Sequence, residues 1–209
     1  MTDTWGRIRA WFERYAPAVH DTLRGPASAE DLARARAAMG QELPEDLSSW
    51  WRRVDGVTSD SIRAGAVLPP WYHPYPVESA LESRRLWLET WYDERQAVEA
   101  DYLADLLSQP AGRPCQDAWL PMWLPIANNG GGSDLFVDLR SGPERGCVMA
   151  FDRVDGAEDQ PLWPDVGAML DEVADALAHR SAITPFTGSP LRVELLEGGR
   201  LEWVDADSG

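Results

Sequence analysis

Residues 122–151 read MWLPIANNGGGSDLFVDLRSGPERGCVMAF, and this stretch decides the class of fold. Short apolar runs separated by turn residues predict three strands, Met122 to Ala127, Leu135 to Leu139 and Gly146 to Phe151. Between the first two lies Asn128-Asn129-Gly130-Gly131-Gly132-Ser133-Asp134. A glycine cluster of this kind invites comparison with a phosphate-binding loop, but that loop needs a lysine after its glycines, and the chain contains no lysine. The cluster also joins two strands instead of opening a helix, so no helix dipole would face an anion. Asparagine and glycine both tolerate positive φ, so a tight strand-to-strand turn is the simpler reading.

Outward from the strands the pattern becomes helical. Ile8, Trp11, Phe12 and Tyr15 recur at helical spacing from Thr4, and Pro17 ends that helix, leaving His20 in a loop. Ser28 and Asp31 have the spacing of a capping box, followed by a stripe of Leu32, Ala35 and Met39 and a stop at Gly40. A third helix is expected from Leu43-Pro44, with Leu47, Trp50, Trp51 and Val54 on one face and Gly56 closing it. Ala64 to Leu68 reads as a short strand. Glu78 to about Ser108 reads as two helices with an undefined break, carrying Leu81, Trp87, Leu88, Trp91, Tyr92, Val98, Tyr102, Leu103, Leu106 and Leu107. A last helix runs from about Pro164 to His179, and Leu191 to Val204 forms a hairpin. A three-residue loop, Gly198 to Arg200, would pair Leu195 with Trp203 and keep both on one side.

Composition narrows the function. The 209 residues suit one domain with a real core, and 44% hydrophobic with 26% charged residues is a globular balance. Most of the eleven tryptophans are expected in that core. All 19 basic residues are arginine, the compositional habit of GC-rich bacterial genomes, and they face 35 acidic ones, for a net charge of -16. That charge repels phosphate backbones and anionic membranes, and it favours a basic protein partner; the alternative is that it serves solubility alone. Cys115 and Cys147 form no metal or redox motif. The opening MTDTWGRIRAWF lacks a basic leader followed by an apolar run, and no apolar stretch approaches the length of a spanning helix, so the expected place of work is the cytoplasm.

No catalytic constellation stands out. His20, His73 and His179 are dispersed, and neither a nucleophile elbow nor a zinc-protease motif is present. Asp152, Asp155 and Gly156 lack the spacing and the terminal glutamate of a calcium loop and read as a polar turn. No cofactor or metal is therefore expected. The candidate partner-binding residues are Trp71, Tyr72, His73 and Tyr75, set among prolines, with Trp87 and Trp91 beyond them. Aromatic side chains on stiff backbone lose little entropy on contact, as binding hot spots require. The alternative is that they seal a loop or helix over the core.

Leu43-Pro44-Glu45-Asp46-Leu47 through Asp55-Gly56, preceded by a helix, resembles the opening of the SUKH superfamily, which includes the fungal Smi/Knr-like cell-wall-assembly regulators. Trp123-Leu124-Pro125-Ile126-Ala127, the glycine turn, Leu135 to Leu139 with Asp138, and Gly146-Cys147-Val148 resemble its central strands. The helix after Trp163 also falls where that family has one. The resemblance spans roughly residues 5 to 180. It implies an α+β fold with helices packed around a curved, mainly antiparallel sheet and no catalytic residues. On this reading residues 1–209 form a single domain with a helical, aromatic-rich insertion around 71–108 and the hairpin 191–204 at the end. The resemblance further implies an immunity protein that neutralises a polymorphic toxin, such as a basic, nuclease-like one, by binding it. A Smi/Knr-like scaffold is the alternative, and an enzyme built on His73 or a carboxylate pair is a third class.

Overall fold

The computed structural model describes residues 3–93, 96, 99–115, 118–184 and 189–207. Helices α1 (Thr4–Tyr15), α2 (Pro17–His20), α3 (Ala29–Met39), α4 (Glu45–Trp51) and α5 (Ser61–Ala64) come first. Strand β1 (His73–Pro74) follows, then α6 (Val77–Trp87) running into a π-helical turn, Leu88–Asp93, and α7 (Ala100–Ser108). Strands β2 (Trp123–Asn128), β3 (Ser133–Asp138), β4 (Val148–Asp152) and β5 (Gly156–Ala157) precede α8 (Val166–His179). The hairpin of β6 (Leu191–Leu196) and β7 (Arg200–Asp205) ends the chain. Strands β1 to β5 lie in chain order in one open, antiparallel sheet, and β6–β7 forms a second. The fold is α+β, as the strand and helix patterns predict.

The central strands are buried along almost their whole length, because both faces of the sheet are covered. Leu124, Leu135, Val137, Val148 and Ala150 point to one core with Phe12, Leu47, Trp51, Met169 and Val173 from the helices. Trp123, Phe136, Met149 and Phe151, the alternate residues, point to a second core with Leu103, Leu106, Trp119 and Leu120. Pro125 lacks an N–H for the ladder, and the register slips between Pro125 and Ala127. The bulge turns both Ile126 and Ala127 toward the first core.

Local chemistry explains the helix ends. Ser28 and Asp31 make the reciprocal capping box, and Gly40 takes the left-handed conformation at the other end of α3. Asn129 accepts backbone N–H bonds from Gly131 and Ser133, so the glycine cluster is a hairpin turn. Asp152 likewise accepts from Val154 and Asp155, making the polar turn between β4 and β5.

Four expectations need correction. Ala64 to Leu68 is not a strand: α5 ends at Ala64, and Leu68 makes only an isolated bridge to Tyr72. Its apolar residues are buried without joining a sheet. The third helix stops at Trp51, and Gly56 instead lies in the irregular segment beyond it with φ +66. His20 is the last residue of α2 and not part of a loop. In the hairpin the loop is Glu197 to Gly199, so Leu195 faces Leu201 and Trp203 faces Val193. Gly199, with positive φ, takes the last position of the three-residue loop, where a left-handed residue is needed and where the expected register would have put Arg200. A register moved by two residues keeps the same faces, so the apolar pattern alone could not choose between them. In the stretch from Glu78 to Ser108, Val98 lies outside the described residues.

Candidate functional site

The aromatic loop is held from both ends. Leu68 and Tyr72 exchange two backbone hydrogen bonds, 3.1 and 2.9 Å, across a turn with Trp71 at its tip. Beyond it, β1 pairs with the end of β2, His73 opposite Asn128. The Asp55-Gly56 pair clamps the far side. Asp55 accepts the N–H of Val77 at 2.8 Å at the start of α6. At Gly56 an added Cβ would stand 2.3 Å from the backbone of Tyr75 and Pro76, so only glycine lets that strand of chain pass.

The six candidate aromatics do not form one surface cluster. Trp71 is 58% exposed. Tyr72 and His73 are buried, and His73 Nδ1 has no hydrogen-bond partner among the described residues. Burial holds the His73 pKa below the ordinary histidine value. Tyr75 is half-buried and donates to Asp134 Oδ1 at 3.0 Å. Trp87 stacks on Trp119 with ring centroids 5.5 Å apart and donates its indole N–H to Asp134 Oδ2 at 2.7 Å. Trp91 packs edge-on against Phe151. Trp87 and Trp91 thus lie against the second core.

Asp134 gathers three donors, Tyr75, Ser83 and Trp87, and so ties α6 to β3. Burial pushes its pKa above the ordinary aspartate value against the pull of those donors. A second buried acid was also missed in the sequence as a structural centre. Asp138 and Arg140 are both buried and joined by a 2.7 Å ion pair. Asp138 also accepts the N–H of Gly112, while Arg140 donates to the carbonyls of Leu106 and Arg113 and lies over the Trp123 ring. The pair therefore joins α7, the following loop and β3. A D-x-R step at the end of a predicted strand was its only trace in the sequence.

Trp71 stands between two depressions. One, of about 560 Å³, lies between the loop and the β4–β5 turn and includes Tyr72, Phe151, Asp152, Asp155, Glu158 and Asp159 in its lining. The other, of about 260 Å³, runs past His73 to Ile62, Arg200 and Trp203. Ile62 is itself 68% exposed, so two large apolar side chains flank this second groove. Among the described residues no group of three or more histidine, cysteine or acidic side chains is placed to hold a metal, and no helix is long and apolar enough to cross a membrane.

A family model described as the SMI1 / KNR4 family (SUKH-1) matches residues 26–172, a stretch that runs from just before α3 through the five-stranded sheet into α8. The chain belongs to the SMI1 / KNR4 family. The match is narrower than the span of the sequence resemblance, leaving out α1, α2 and the terminal hairpin. It includes the Asp55-Gly56 clamp, the Trp71 loop and the β4–β5 turn, while Leu191, Arg200 and Trp203, which help line the two depressions, lie beyond it. None of the curated proteins compared matches the chain.

Proposed function

We propose that this chain is a non-enzymatic protein-binding domain that acts as an immunity protein, neutralising a polymorphic toxin by stoichiometric binding. Trp71 carries the reading: a large indole, 58% exposed, held at the tip of a hydrogen-bonded turn between two depressions. An exposed aromatic anchor beside pockets is what a protein interface places at its centre. SMI1 / KNR4 membership supports a binding role. The net charge of -16 suits a basic toxin domain. The buried His73 ring, with no partner at Nδ1, is poorly placed to act as a general base.

Co-expression with the protein encoded beside this gene tests the proposal. Growth rescue together with a co-purifying complex is the expected result. A harmless neighbour and no complex would favour the scaffold role that the Smi/Knr-like resemblance also allows.

A further inference from the structure

The larger depression beside Trp71 combines apolar walls with an acidic rim. It is a groove of about 560 Å³. Pro70, Trp71, Ala157 and Leu191 contribute its apolar sides, with Tyr72 and Phe151 at its floor. Four carboxylates line it, Asp152, Asp155, Glu158 and Asp159, and no arginine does.

Elsewhere on the surface several arginines hold an acidic partner. Arg7 pairs with Asp175, Arg34 with Asp31, Arg52 with Glu45, and Arg85 with both Glu82 and Glu89. The four groove carboxylates enter no ion pair among the described residues. Asp152 is engaged by the Ser133 hydroxyl and by two backbone N–H groups, which orient it, and the charge of Arg153 acts on it without an ion pair. The local field is felt by the Tyr72 phenol, which burial and then Asp134, Glu158 and Asp152 keep protonated.

We infer that this groove receives an arginine or lysine side chain from a basic segment of the protein partner. The inference rests on the protein-binding reading above and names the chemistry of the contact. An arginine fits both halves of the groove. Its aliphatic stem lies along the apolar sides, its guanidinium meets the carboxylates, and the Trp71 face is open to a cation. A bare divalent ion fits less well, because the acids are not placed together as a metal-holding group. An anionic partner such as nucleic acid is repelled.

The test uses a short arginine-containing peptide and its citrulline counterpart, which keeps shape and removes charge. Each is titrated into the full chain and followed by two-dimensional nuclear magnetic resonance. The arginine peptide is expected to shift the Trp71 indole N–H and the backbone amides of residues 152–159, and the citrulline peptide is not. A triple variant, Asp155→Asn with Glu158→Gln and Asp159→Asn, should weaken peptide binding by about tenfold. A control triple, Glu13→Gln with Asp101→Asn and Asp105→Asn, removes the same charge from exposed positions outside the groove and should leave binding nearly unchanged.

Equal losses in the two triples, or shifts spread over the whole acidic surface, would overturn the groove assignment. So would equal shifts with the citrulline peptide. These results are separable from failure of the immunity proposal. If growth rescue persists in full with the groove triple, the immunity reading stands and the groove inference falls. If rescue fails with the neighbouring protein while the arginine peptide still maps to the groove, the reverse holds.

Discussion

At the scale of single residues the molecule separates side chains that build it from those it presents. Asp138 and Arg140 belong to the first kind. Removing one partner leaves a buried charge alone, so Asp138→Ala should cost about 3–5 kcal/mol by chemical denaturation. The double replacement Asp138→Leu with Arg140→Met should recover much of that loss. Additive losses in the double variant would show that the pair is not a unit. His73 makes a pH-dependent contribution. Its folded pKa is depressed, so the unfolded chain takes up the proton first and stability falls as pH drops below about 6.5 toward the folded value. His73→Gln should flatten that part of a melting-temperature profile, and an unchanged slope would assign it to other groups. Trp71 belongs to the presented kind. Trp71→Ala should weaken partner binding by more than about 1 kcal/mol with an unchanged melting temperature. Tyr72 was expected to behave in the same way, but it is only 4% exposed, so its truncation should lower stability first.

At the scale of elements the Asp55-Gly56 clamp connects the family motif to the presented loop. Gly56→Ala introduces both a strained φ of +66 and a Cβ 2.3 Å from the Tyr75–Pro76 backbone. It should destabilise the chain by more than about 1 kcal/mol, measured in urea. A neutral effect would mean that the loop passes Gly56 without needing its absent side chain. Much at this scale was legible in the sequence. The capping box at Ser28, the last helix, α8, and the three central strands each rest on local chemistry, and each is present. What was hidden depends on pairing at a distance. The hairpin register turned on where two glycines place positive φ, which the apolar alternation does not encode. Trp87 and Trp91 look like a free aromatic face until the sheet is seen to need cover on its second side. The groove beside Trp71 joins residues around 71 to residues around 155, and nothing local announces that meeting.

At the scale of the whole molecule the sheet is covered on both faces, with α1, α4 and α8 among the helices over one core and α7 and the Trp119 segment over the other. At one end of its strands the Trp71 loop and the β4–β5 turn meet. The net charge of -16 acts over this same scale. Association with a basic partner should slow markedly as salt rises, in stopped-flow measurements, because screening shortens the reach of the field. A salt-independent on-rate would remove the acidic surface from the encounter. The proposed immunity role requires inhibition by one-to-one binding and not by turnover. Titrating the purified chain into the purified product of the neighbouring gene, with residual toxic activity as the readout, separates the two. A linear fall to zero at equimolar chain is expected, with that product recovered intact when the complex is dissociated. Inactivation by far less than an equimolar amount, or toxin recovered in a chemically altered form, would contradict it.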